Sequence, residues 1–324
     1  MVDFRPFRGV RYSPDAGSLA DLICPPYDVI SPALAQQLLE KNKNNMVRME
    51  LDELTGAPAD DRYTAAAAAF NESLESGVLV QENSDVYYLL RQQFAYGTAK
   101  VNRFGWLGGM ALEPLGGAIL PHEDTASGPK KDRLELMKET QANFSPIMML
   151  YRDATGAMSS LQQLVVTRDP IADTATVDGM RLTLWAISDS SERSLIGAAL
   201  AGQNAYIADG HHRYETALNY KDTFAAPDND KAGFVLTCLI DFDDPGLIIG
   251  PYYRVLHDVP EPSLKQIKSL LESLFVSRPT GLSGNDAASL DAVVATVGQG
   301  QVTLGVVVPA RDPVLLTPAN DRIP

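Results

Sequence analysis

Cysteine is almost missing from this 324-residue chain. The two present, Cys24 and Cys238, have no CxxC spacing and are too few for a disulfide framework, so the reading is a protein of the reducing cytoplasm. Histidine is nearly as scarce, with four: His122, His211, His212 and His257. Positive charge is in deficit, 27 Lys and Arg against 41 Asp and Glu for a net charge of −14, which excludes a broad nucleic-acid surface because phosphate binding needs clustered cations. No apolar run reaches the roughly 20 residues of a membrane helix. The N-terminus also lacks the basic, apolar and small-residue order of a signal peptide, so no membrane partner is expected. Phosphate-binding glycine motifs are absent too. There is no GxGxxG, and Gly128–Pro129–Lys130–Lys131 lacks the spacing, second glycine and hydroxyl of a Walker A loop. What remains is 45% hydrophobic residues, enough for a packed core, and a few dense constellations.

The densest is YIADGHHRYETALNY, residues 206 to 220. An apolar run, Tyr206 to Ala208, meets Asp209–Gly210, and Tyr214, Ala217 and Leu218 then recur at helical spacing, predicting strand, tight turn and helix. The first helical turn holds His211, His212 and Arg213, although the helix dipole favours acids there. An anion on the free N–H groups, with Gly210 allowing close approach, accounts for this; a helix that is merely basic, N-capped by Asp209, is the alternative. LPHEDTASGPKKDRLELMKET repeats the oddity. His122–Glu123 ends a strand, Thr125 to Gly128 form a loop, and Pro129 opens a helix whose first turn carries Lys130, Lys131 and Arg133 beside Asp132. An anion with two or more phosphates shared between the two helix starts satisfies both; a solvated basic turn is the competing reading.

Elsewhere, Arg5, Arg8 and Arg11 read as an edge strand facing water or as a basic lip, and CPPYDVISP as a rigid loop entering a strand, with Asp28 a turn residue or a ligand. Helices are predicted from Ser31–Pro32 to about Asn42, from about Asp61 to Ser76, at 157–166, after the Asp189–Ser190–Ser191 cap, at 262–275 and at 285–296. Strands are expected at Val47–Leu51, in NFSPIMMLY, before Ile187 and near 302–308. Hairpins are expected at Tyr96–Gly97–Thr98 and at Asp244–Pro245–Gly246. Gly105, Gly108 and Gly109 suggest a bulge or a backbone that something approaches closely. The fold class is mixed α/β, strands and helices interleaved around mixed sheets, with subdomains at 1–155 and 156–324.

DGHHRYETAL resembles the ParB/sulfiredoxin-like signature, in which a strand–turn–helix element cradles nucleotide phosphates. The chain as a whole resembles a bacterial and archaeal family catalogued as domain of unknown function 1015, through FRPFRGVRY, CPPYDVISP, LPHEDTASGPKKDRLELMKETQANFSPI, ADGHHRYETAL and GPYYRVLH, spread from residue 4 to 257. His211 stands where sulfiredoxins carry their cysteine, so the thiol chemistry is excluded. In GPYYRVLH only Arg254 matches the family pattern. Relatives run on past Pro324, so this chain reads as truncated.

The resemblance implies phosphoryl transfer on a small metabolite, kinase- or phosphatase-like as in free-serine kinases, with serine or phosphoserine the leading substrate and ATP or ADP the nucleotide. Gly210, His211, Arg213, His122, Lys131, Arg133 and Arg254 are assigned to phosphate or substrate. His212 or Glu123 moves the proton, and Asp209 orients substrate or metal. Adjacent His211 and His212 point about a quarter turn apart, which argues against zinc. Mg²⁺ shared by phosphates and by acids among Asp209, Glu123, Asp132 and Glu215 fits better. A non-catalytic nucleotide-binding regulator and a ParB-like nuclease are the alternatives, and nothing in the sequence fixes the oligomeric state.

Overall fold

Two long strands joined by two residues form the spine of a computed structural model, which describes residues 2–50, 62–123, 128–224, 229–249, 256, 258–279, 304–306 and 314–318. The strands in chain order are β1 (Phe4–Arg5), β2 (Val10–Tyr12), β3 (Leu79–Gln81), β4 (Tyr87–Tyr96), β5 (Ala99–Ala111), β6 (Ile119–Leu120), β7 (Ile147–Tyr151), β8 (Ala172–Ala175), β9 (Arg181–Ile187), β10 (Ala205–Asp209) and β11 (Phe234–Asp241). Tyr96 pairs with Ala99 across Gly97–Thr98, the expected hairpin, with Gly97 at φ 59°.

Nine of these strands build one mixed sheet in the order β6-β10-β7-β11-β5-β4-β9-β8, with β1 beside β5. β10 is parallel to β6 and antiparallel to β7, whereas β11 is parallel to β7 and antiparallel to β5. The architecture is the mixed α/β fold expected. Alternation puts Tyr87, Leu89, Trp106, Met110, Ile147, Met149, Trp185 and Ile207 into one buried cluster. The helices that accompany the strands are α1 (Leu19–Leu22), α2 (Pro32–Lys41), α3 (Val47–Glu50), α4 (Arg62–Glu75), α5 (Gly128–Thr140), α6 (Ala157–Val165), α7 (Ser190–Leu200) and α8 (His211–Thr223). Met158 and Leu161 of α6, Ile196 and Leu200 of α7, and Tyr214 and Ala217 of α8 belong to the same cluster. Each fully buried side chain of this size stabilises by about 1.5–3 kcal/mol.

Compactness divides the chain into Met1–Leu247 and Ile248–Pro324. The large sheet takes strands from both sides of residue 155. In the second unit a helix, Glu261–Leu274, precedes a three-stranded sheet of Phe275–Pro279, Val314–Pro318 and Leu304–Val306. The helix expected at 285–296 lies outside the described residues.

Local chemistry explains both the agreements and the corrections. Ser31 Oγ accepts from Leu34 N–H, and Asp189 accepts from Ser191 and Glu192 N–H, so both predicted N-caps are in place. Val47–Glu50, expected as a strand, is instead a helical turn preceded by Asn45, whose side chain accepts from Val47 N–H and donates to the Asp21 and Ile23 carbonyls. Tyr27–Val29, expected to enter a strand, is a 3₁₀ turn, and Asp28 is exposed. The Arg5 and Arg11 side chains are held by Asp3 and Glu82, while Arg8 donates to the Glu82 carbonyl, so the basic-lip reading finds its cations engaged. The chain turns at Asp244–Gly246 as expected, but Leu247–Ile249 is not a strand, and 250–255 lie outside the described residues.

The β5 glycines are sites of close approach. A Cβ on Gly105 would sit 2.3 Å from Cys238 Sγ, and one on Gly108 2.4 Å from the Phe4 ring. Gly108→Ala should lower the midpoint of chemical denaturation, equivalent to about 1–3 kcal/mol, as overpacking does. An unchanged midpoint would mean that Phe4 does not occupy this place.

Candidate functional site

Parallel pairing of β10 with β6 sends the carboxyl ends of both strands to one edge, Ala205 opposite Ile119 and Tyr206 opposite Leu120. His122–Glu123 and Asp209–Gly210–His211 therefore leave the sheet side by side. β7 runs the other way against β10, which brings its start and the preceding Ser145–Pro146 to the same edge. Ends of parallel strands followed by a helix start are where α/β sheets collect ligands.

Gly210 is the N-cap of α8, at φ 97° and without any side-chain cap bond. The expected Asp209 cap is thus not formed, because that carboxylate turns to Arg213, with Nη2 2.5 Å from Asp209 Oδ2. Arg213 Nη1 also donates to the Pro146 carbonyl at 2.8 Å. Its guanidinium folds over Gly210, so that a Cβ there would lie 3.0 Å from Nε. His211 points inward and is 1% exposed. Its Nδ1 is 3.1 Å from Glu123 Oε1, and its Nε2 accepts from the His122 N–H at 3.2 Å. Burial pushes the His211 pKa down, and Glu123 only partly opposes this, so the ring is held neutral. The His122 and His211 rings meet edge to face with centroids 4.5 Å apart. His212 is half-buried and has interactions of its own.

The second helix start, that of α5 (Gly128–Thr140), reaches the same place. α5 and α8 pack together: Arg133, from the second turn of α5, and Arg213, from the first turn of α8, line one pocket, and Lys138 of α5 lies 3.8 Å from the Phe224 ring beyond the end of α8. The pocket is also lined by Tyr27, Glu50, Asn143 and Ser145. Arg133 is committed within it. Nη1 pairs with Glu50 Oε2 at 2.9 Å, Nε donates to Asp132 Oδ2 at 2.8 Å, and the guanidinium stacks 4.3 Å over the Tyr27 ring. Glu50 Oε1 accepts from Ser145 Oγ at 2.6 Å.

The carboxylates near the two helix starts explain much of the sequence anomaly. Cations at the positive ends of α5 and α8 are compensated by Asp132, Glu50 and Asp209 of the protein itself. The two pairs differ in kind. The Arg133–Glu50 side chains are 11% and 6% exposed, whereas Asp209, the partner of Arg213, is 71% exposed. Although the Arg213 side chain is itself only 21% exposed, a pair whose carboxylate faces water is screened by it and exchanges more readily than a buried one. Arg213 can therefore trade Asp209 for an incoming anion, while Arg133 is a fixed wall.

Of the residues assigned from sequence, His122, Glu123 and His211 form one cluster, and Arg213 and Arg133 one pocket, with Asp209 and Gly210 against Arg213. Lys131 is exposed. Arg254 and His257 lie outside the described residues, as does most of the loop expected at Thr125–Gly128. Glu50, Ser145 and Asn143 were missed. Glu50 lies in VRMEL beside Val47 and Met49, both buried, where an acid next to core residues was the available signal.

Asp132 supplies a pH test. Burial would raise its carboxyl pKa, but Arg133, Tyr63 and Arg62 outweigh burial and hold it below the ordinary aspartate range. Stability from a depressed carboxyl is complete above the unfolded value of about 3.9 and is lost as pH falls through the folded one. The thermal midpoint should therefore drop less between pH 5 and 3 in Asp132→Asn than in the wild type; equal slopes would contradict the pairing.

The chain belongs to the family described as Protein of unknown function (DUF1015), which matches residues 4–320. No curated protein and no solved structure matches it. Among the described residues, no helix is long and apolar enough to cross a membrane.

Proposed function

We propose that this chain carries out phosphoryl transfer on a small hydroxylated metabolite, kinase- or phosphatase-like, using ATP or ADP with a divalent cation such as Mg²⁺. Serine or phosphoserine is the leading substrate, through the likeness of DGHHRYETAL to the ParB/sulfiredoxin-like element of free-serine kinases. The observation that carries the reading is the convergence of α5 and α8 on one pocket, lined by Arg133, held by Glu50, and by Arg213, whose partner Asp209 faces solvent. Such chemistry asks little covalent work of a protein; positioning and charge neutralisation supply most of the rate. Arg213, Lys131 and the first-turn N–H groups of α8 face the transferred group. Glu123, exposed and oriented by His211, accepts the acceptor's proton, with His212 the other candidate. His211 itself, buried and with both ring nitrogens engaged, serves better as support than as a phosphate contact.

The test is phosphorus NMR of the purified chain with Mg²⁺ and either ATP or ADP plus serine, or phosphoserine alone. Appearance of phosphoserine, or release of phosphate, supports the reading. Nucleotide binding without turnover of either would replace the enzyme with a nucleotide-binding regulator.

A further inference from the structure

Two imidazoles and a carboxylate meet at the end of the β6–β10 pair, where one ligand atom from each of His122, Glu123 and His211 lies within 4.8 Å of the others. Imidazole and carboxylate are both donors that first-row divalent cations take. The hydrogen bonds give the three residues different roles. A main-chain N–H can only donate, so the contact from His122 N–H makes His211 Nε2 an acceptor and leaves the proton of the neutral ring on Nδ1, facing Glu123 Oε1. His211 then has no lone pair free for a metal. His122 is the opposite case. Its Nδ1 is 2.8 Å from the Ile207 carbonyl, which can only accept, so in the neutral ring Nδ1 holds the proton and Nε2 carries the lone pair. A backbone carbonyl on the far ring nitrogen is what fixes the tautomer of metal-bound histidines. Glu123 is exposed and has a second carboxylate oxygen beyond the one facing His211.

The geometry points to a divalent-cation site formed by His122 Nε2 and the Glu123 carboxylate, with His211 a positioning residue that holds Glu123 from the buried side. The imidazole donor suits Mn²⁺, Co²⁺ or Zn²⁺ better than Mg²⁺, and two protein ligands leave positions open for water or substrate oxygens. The site does not rest on the phosphoryl-transfer reading, because it is tested with the cation alone; with Glu123 on the cation, His212 is the proton acceptor in that reading.

The intact chain is titrated with Mn²⁺ and free metal is followed by electron paramagnetic resonance. Saturable binding of a single Mn²⁺ is expected, weakened at least about tenfold in Glu123→Gln and in His122→Ala. In His211→Asn, whose amide N–H stands in for Nδ1–H, affinity should stay within about threefold, since the support is kept. No saturable uptake of Mn²⁺, together with no Co²⁺ absorption band, overturns the site. So does a loss in His211→Asn equal to that in His122→Ala with the circular dichroism native, because His211 would then be a ligand. His122 and Glu123 are exposed, so their variants decide the matter even if His211→Asn fails to fold.

Discussion

Arg133→Met should destabilise the chain by about 3–5 kcal/mol in chemical denaturation, the loss typical when one member of a buried ion pair is removed. The cause is the partner left behind. Glu50 is 6% exposed and retains only the Ser145 hydroxyl among the side-chain contacts described for its carboxylate. Stacking on Tyr27 and the bond to Asp132 go at the same time. The double variant Arg133→Met, Glu50→Gln should recover a large part of the loss, since an amide costs less to bury than a lone carboxylate. If the two single variants simply add, the pair is not coupled and Arg133 is no fixed wall.

Arg213→Ala is expected to behave in the reverse way. Its ion pair is with an exposed carboxylate, so losing the pair should cost no more than about 1 kcal/mol, with about 0.5–1.5 kcal/mol more for the bond from this 21%-exposed side chain to the Pro146 carbonyl. Ligand binding should suffer far more. A charge-assisted hydrogen bond to a phosphate is worth about 1.5–3 kcal/mol, so affinity for ATP or phosphoserine should fall roughly 10- to 100-fold. Calorimetric titration of both proteins reads this directly. Equal affinities would show that the anion, if bound, is not held by α8.

The sequence showed the two helix starts plainly because each broke an electrostatic rule, and two breaches of one rule in an acidic chain drew attention to both. It also showed the hairpin at Gly97–Thr98 and the caps at Ser31 and Asp189, where one or two residues carry the local geometry. What compensates the cations could not be read there. Asp209 has the composition of an N-cap, and only the backbone at Gly210, in the left-handed region, turns its carboxylate to Arg213 instead. Glu50 is 83 residues from Arg133, and its helical turn reads as a strand because VRMEL alternates apolar and charged residues over a length too short to separate the two periods. The roles of the histidines were likewise hidden. Adjacent His211 and His212 argued against zinc, while the donor that matters for His211 is the main chain of His122, brought near by the parallel pairing of β6 with β10.

The central claim is that the starts of α5 and α8 act together on one multiply charged anion. Hydrogen–deuterium exchange of the intact chain, with and without saturating ATP and Mg²⁺, tests it most directly. Slowed exchange is predicted at 131–136, 143–146 and 211–216 together. Protection at one helix start alone, or elsewhere in the chain, would contradict a shared grip.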